Sequence, residues 1–183
     1  MSADREIFVS VDVETSGPVP GEYSLLTIGA CDAYKDQRTF ACELKPITRN
    51  ADPKALEVTG LSLDELERTG LDPAEAMMRF AQWLEELSRD GGTLVFVGLN
   101  APFDWSFVNY YFHRFLGANP FGFSALDIKA YYMGATGCRW DYTRSSLMAL
   151  ALKASLKGDH LALHDARYQA ELFRLIRKKV DVT

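Results

Sequence analysis

From Ile7 to Val13 the chain alternates without a break: Ile7, Val9, Val11 and Val13 fall on one side, and Phe8, Ser10 and Asp12 on the other, with Glu14 continuing the second set. A period of two is the signature of a β-strand, and Ser16, Gly17, Pro18, Pro20 and Gly21 interrupt the chain directly afterwards. The strand therefore ends on two carboxylates, Asp12 and Glu14, which project from the same face. Like charges held that close repel, which costs stability unless a cation is shared, and hard oxygen donors of this kind suit Mg²⁺ or Mn²⁺. Exposed strand-end acids are the plainer alternative, because Asp4 and Glu6 repeat the spacing in a stretch that reads as a solvated tail. What sets Asp12 and Glu14 apart is their place at a strand's carboxyl end, where the ligand crevices of α/β sheets form.

Two further β-like stretches, Leu25 to Tyr34 and Arg38 to Leu44, follow on either side of a polar turn at Lys35, Asp36 and Gln37. With the first strand they suggest an antiparallel meander. Asp72 and Pro73 then open a helix to Asp90 in which Met77, Phe80, Leu84 and Leu87 recur at spacings of three and four, before Gly91 and Gly92 end it. Thr93 to Leu99 reads as a strand buried on both faces. A helix launched by Asn100, Ala101 and Pro102 runs to about Leu116, and Phe123 to Ile128 is expected as another buried strand. Ser145 or Ser146 would cap a helix with Leu147, Leu150, Ala151 and Ala154 on its apolar stripe. A last helix, from about Leu163 to Val180, presents Ala166, Ala170, Phe173 and Val180, small residues first, as if to lie close against a sheet. The expected fold is α/β: a mixed sheet of five strands, three antiparallel and then parallel, with helices on its faces.

With 183 residues, 48% of them hydrophobic, and neither repeats nor linkers, the chain is expected to form one domain over 1–183. Its formal charge of −5 argues against holding polyanions by a bulk positive field, so any nucleic acid needs a local site. Cys31, Cys42 and Cys138 form no CxxC pair, which indicates neither a disulfide framework nor a zinc knuckle and fits a reducing cytoplasm. Asp4, Arg5 and Glu6 stand where a signal peptide would need apolar residues, and no run approaches a membrane span, so no membrane association is expected.

Two more acids sit at helix starts: Asp104 in NAPFDWSF and Asp165 in DHLALHDA. Each is individually unremarkable, since acids favour helix N-termini. His160 and His164 lie in the second segment, and a neutral imidazole is a natural acceptor of a proton from water, but chemistry alone does not choose between them. His113, among Tyr110, Tyr111, Phe112 and Phe115, reads as packing or a rim contact.

Taken together, VDVETSG at 11–17, NAPFD at 100–104 and HLALHDA at 160–166 resemble the DEDDh 3′-to-5′ exonucleases, the family of polymerase proofreading subunits, ribonuclease T and oligoribonuclease. KPITRNADPKALEVTGLS is similar to the family's segment between its first two motifs, so the likeness covers most of the chain in the family's order. The DEDDy branch is disfavoured, because it would want Tyr where this chain has Leu161. The resemblance implies a ribonuclease H-like fold, a site of Asp12, Glu14, Asp104 and Asp165 holding two Mg²⁺, with Mn²⁺ able to substitute, and His160 as general base, leaving His164 as surface. It further implies hydrolysis of single-stranded RNA or DNA 3′ ends to nucleoside 5′-monophosphates by two-metal catalysis. Two divalent ions would also bring the formal charge from −5 to −1.

Gly60, Leu61 and Phe103 match positions that in the family border the terminal base and sugar, and backbone near Thr15 would meet the 3′ hydroxyl. For Leu61 and Phe103 plain core packing is an equal alternative. Lys129, Arg139, Arg144 and Lys157 are candidate phosphate contacts, or ordinary solvated charges. Trp105, Phe107, Tyr131, Tyr132, Trp140 and Tyr142 are candidate stacking groups assigned mostly to the interior. The sequence leaves open RNA against DNA, a homodimer by analogy with ribonuclease T, and a non-catalytic binding module on the same scaffold.

Overall fold

In the computed structural model, which describes residues 5–180, the strands are β1 (Glu6–Thr15), β2 (Leu25–Asp32), β3 (Lys35–Glu43), β4 (Thr93–Gly98) and β5 (Ala125–Asp127). They form one sheet in the order β3-β2-β1-β4-β5, antiparallel across β1–β2 and β2–β3 and parallel across β1–β4 and β4–β5. The helices are α1 (Pro53–Thr59), α2 (Leu63–Thr69), α3 (Pro73–Ser88), α4 (Ala101–Leu116), α5 (Ile128–Thr136), α6 (Ser145–Leu152) and α7 (Ala162–Val180), with a 3₁₀ turn at Trp140–Thr143. Among the described residues this is the mixed five-stranded sheet with helical flanks that the sequence predicts. Asp4 of the expected solvated tail lies outside the described residues, whereas Glu6 opens β1 and is exposed.

The alternation in β1 divides two cores rather than a core from solvent. Ile7, Val9, Val11 and Val13 pack with Met77, Phe80 and Phe112 of α3 and α4 on one side. Phe8, on the other, joins Ile128, Met148, Leu172 and Phe173 of α5, α6 and α7. With both faces covered, the strand occupies the centre of the sheet. No helix among the described residues is long and apolar enough to cross a membrane, and all three cysteines are free.

Several local expectations are corrected. The chain reverses at Ala33 and Tyr34, because the Asp32 carboxylate accepts the N–H groups of Tyr34 (3.0 Å) and Lys35 (3.1 Å) and closes the turn early. Lys35, Asp36 and Gln37 consequently begin the edge strand β3 instead of forming the turn. Of the run from Phe123 to Ile128, only three residues pair, opposite Phe96, Val97 and Gly98, and Phe123 is 94% exposed. Asp127 then stops the strand by capping α5 through the Ala130 N–H.

In α6 the cap position falls on Arg144, and Met148 faces inward while Leu150 is 79% exposed and Ala151 is also exposed. Two turns are too short for a sequence stripe to dictate orientation, and the Tyr168 hydroxyl, bonded to the Ser145 carbonyl at 3.1 Å, pins this helix instead. Phe107 and Tyr132 are buried as expected, but Trp140 and Tyr142 on the 3₁₀ turn are more than half exposed. His113 is exposed, not packed. In α7, Ala166, Ala170 and Phe173 are fully buried, whereas Val180, beside Lys178 and Lys179 in the last turn, is exposed.

The small residues at the start of α7 meet an equally small partner. A Cβ added to Gly29 of β2 would lie 2.1 Å from the carbonyl carbon of Ala162 and 2.2 Å from the Leu163 nitrogen. Backbone rests on backbone there, so neither side can relax by a rotamer change. Gly29→Ala is expected to cost about 3 kcal/mol or more, lowering the melting temperature by roughly 6–12 °C. A thermal melt within about 2 °C of the parent protein would contradict that close approach.

Candidate active site

β4 accompanies β1 only as far as Ser10, so the last residues of β1 have a strand on one side and an open crevice on the other. Asp12 and Glu14 stand on that stretch, and both line a cavity of about 860 Å³. Across the crevice Asn100 adopts a left-handed backbone (φ 68°) and starts α4, whose first turn carries Asp104. The Asp104 Oδ1 accepts the Val13 N–H at 3.1 Å, which completes the ladder position that β4 leaves vacant.

The remaining groups come from α7 and the segment before it. Asp165, in the first turn, accepts the N–H groups of Asp159 (2.9 Å) and His160 (3.2 Å), and that turn holds His160 in a left-handed backbone (φ 63°). Gly158 leaves the space, since a Cβ there would come 2.9 Å from Asp165 Oδ1. Ligand atoms of Glu14, His160 and Asp165 lie within 4.8 Å of one another. One turn further along α7, Gln169 donates its Nε2–H to Asp12 Oδ1 and accepts the Leu99 N–H at 2.9 Å on its Oε1. With the oxygen committed to an N–H, the amide orientation is fixed and the nitrogen faces the carboxylate.

Five residues singled out in the sequence thus line one cavity: Asp12, Glu14, Asp104, His160 and Asp165. Phe103 lines it as well. Leu61 lines a second cavity of about 310 Å³ that shares Glu14 and His160 with the first. Thr15 and Gly60 line neither: the Thr15 hydroxyl is buried and donates to the Gly17 carbonyl at 2.9 Å, and Gly60 caps α1 with φ 68°. His164 is exposed, its Nδ1 2.9 Å from Asp159 Oδ2. Lys157 lines the large cavity, whereas Lys129 lies over the Trp140 ring at 4.5 Å and Arg139 pairs with Asp141 at 3.3 Å. Gln169 was not anticipated; its only sequence signal is its spacing of four from Asp165, which puts both on one helix face.

Burial and mutual repulsion dominate the electrostatics. Burial, followed by the charges of Asp104, Glu14 and Asp165, pushes Asp12 well above the usual carboxylate range, with the Gln169 hydrogen bond opposing. Burial and then Asp165 raise Glu14 to about 7. Burial raises Asp104 to about 8 despite the Val13 hydrogen bond. Arg49–Asp64, Arg79–Glu75, Arg139–Asp141 and Arg174–Asp36 pair away from the site, and the His164–Asp159 contact involves none of the four acids. A cluster of carboxylate oxygens lacking a basic partner, with one imidazole beside it, is a donor set that fits hard divalent cations such as Mg²⁺ or Mn²⁺.

Known proteins resemble the chain in sequence and in fold. A family model for exonucleases, RNase_T, matches residues 9–173. The chain is 59% identical over 178 residues to the 3′-5′ DNA exonuclease Cap18 of Escherichia coli, covering 97% of this chain and 95% of that protein. It is similar in fold to the nuclease domain of 3′hExo, a DEDDh family member solved with rAMP (TM-score 0.73, 15% identity, 96% of this chain and 95% of that one). It is likewise similar to E. coli Exonuclease I in complex with a dA16 oligonucleotide (TM-score 0.73, 18% identity, 97% of this chain and 42% of that one).

Glu14 carries the expected pH dependence. Its folded pKa, about 7, lies above the ordinary 4.5, so between these values the folded chain binds more protons than the unfolded one and loses stability as pH rises. In EDTA the melting temperature is expected to fall across this window, and millimolar Mn²⁺ is expected to restore it at the upper end. A metal-free melting temperature that rises with pH there, or that Mn²⁺ leaves unmoved at neutral pH, would contradict the carboxylate cluster.

Proposed function

The chain belongs to the RNase_T exonuclease family, and on that premise we propose that it is of the DEDDh type and removes nucleoside 5′-monophosphates one at a time from the 3′ end of single-stranded DNA, acting as one domain. The gathering of Asp12, Glu14, Asp104, His160 and Asp165 at one cavity supports this reading above all. The 59% identity to a protein named as a DNA exonuclease supports DNA over RNA.

In this proposal Asp12, Glu14 and Asp165 hold a pair of Mg²⁺ or Mn²⁺ ions, with Asp104 assisting. Such ions lower the pKa of an attacking water and stabilise the departing 3′ oxygen of a phosphodiester. Gln169 keeps Asp12 in one rotamer, so its free oxygen is presented to the cavity at no entropic cost. His160 takes the proton of the attacking water; the Asp165 carboxylate, by accepting the His160 N–H, fixes the backbone from which the imidazole projects. Phe103 packs against the terminal base and sugar from the cavity wall, while Leu61 and Gly60 border that nucleotide from the side of the smaller cavity. Backbone beside Thr15, fixed by its hydroxyl bond to Gly17, meets the 3′ hydroxyl.

A 5′-labelled single-stranded DNA oligomer with Mn²⁺ is expected to yield a descending ladder and free 5′-mononucleotides, and a matched RNA a slower one. Asp12→Asn is expected to lower turnover by about 10³-fold or more, and His160→Ala by about 10²–10⁴-fold, with both variants still folded by circular dichroism. Turnover at parental rates in both would overturn the assigned roles. RNA cleaved as fast as DNA would overturn the sugar preference.

A further inference from the structure

Among the described residues only three other than glycine have a left-handed backbone, Asn100, Lys153 and His160, and all three line the large cavity. Such conformations cost a non-glycine residue roughly 1–2 kcal/mol and collect where a site requires them. Asn100 launches the helix bearing Asp104, and His160 belongs to the acidic cluster. Lys153 has no assigned role. It sits at the C-cap of α6 (φ 57°, ψ 45°), where glycine would be unstrained.

Lys153 and Lys157 are the two cationic side chains lining this cavity, and neither forms an ion pair with any described residue. The segment joining them is anchored: Glu171 accepts the Ser155 N–H (2.9 Å), the Ser155 hydroxyl (2.6 Å) and the Leu156 N–H (2.8 Å). Two unpaired ammonium groups are thus carried on a fixed loop and a strained cap, in a chain whose formal charge is −5.

We propose that Lys153 and Lys157 form a phosphate-binding pair on the wall formed by α6 and the loop after it, holding the phosphodiester backbone of the single strand on the 5′ side of the bond to be cut. This rests on the cavity being the nuclease site. An enclosure of about 860 Å³ holds more than the terminal nucleotide, and the acidic cluster would repel the next phosphate unless cations faced it. Ammonium groups suit the task, because they hold a phosphate without reading a base.

Lys153→Gly separates function from fold, because it removes the charge and relieves the backbone. It is expected to raise the melting temperature by about 2 °C or more while weakening binding of labelled dT12 about 10-fold. Each lysine removed is expected to make the slope of log Kd against log salt shallower by about 0.7, so Lys153→Gly with Lys157→Ala loses about 1.4. Lys153→Arg is expected to keep the parental slope. Binding is read by fluorescence anisotropy without metal, and hydrolysis separately with Mn²⁺, where the loss is expected in KM rather than in kcat. A more stable Lys153→Gly protein with parental affinity and salt slope would overturn the proposal. Parental protein that binds dT12 through these lysines but releases no nucleotide would uphold the phosphate site and sink the exonuclease reading.

Discussion

Gathering like-charged carboxylates at one partly buried crevice sets charge against charge, and much of the rest of the molecule serves to hold them there. Asp12, Glu14, Asp104 and Asp165 come from three separate elements and repel one another. Each of three is tied by hydrogen bonds from a different source: a carboxamide for Asp12, a strand amide for Asp104, loop amides for Asp165. All of these donors are neutral. Arginines in the same places would have satisfied the acids and left no charge for a cation to answer.

The sheet explains why these three elements can meet. A parallel neighbour that stops at Ser10 leaves the end of β1 open, and α4 and α7 flank the gap. α7 reaches its height over the sheet through the backbone contact at Gly29 and its run of alanines, so the position of Asp165 depends on a side chain missing from the neighbouring strand, directly opposite Asp12. Gln169 then couples the ends of β1 and β4 to the same helix.

Long, strictly periodic segments were legible in the sequence: the alternation of β1, the α3 stripe and the alanine face of α7 all describe what those elements bury. Short elements were not. α1 and α2 span seven residues each, too few for a period to emerge, and α6 is oriented by Tyr168 rather than by its own leucines. The exposure of Trp140 and Tyr142 was invisible because an aromatic residue reads as core until a partner surface fails to cover it. Gln169 escaped notice because its meaning lies in a carboxylate 157 positions away. Asp12 and Glu14 stood out by their place at a strand's carboxyl end, whereas Asp104, His160 and Asp165 were singled out through the resemblance of their segments to a known family, and the groups supporting all five are ordinary amides and glycines.

The hydrogen bond from Val13 to Asp104 gives one acid two unrelated employments, as a spare rung of the sheet and as a negative charge. The rung needs only a lone pair; the charge needs ionisation. A descendant of this fold that had given up cutting would therefore still keep an oxygen acceptor at position 104, asparagine serving as well as aspartate, whereas Glu14, which no strand amide relies on, would be free to drift. Loss of function in this lineage would leave position 14 open to any residue but hold position 104 to aspartate or asparagine.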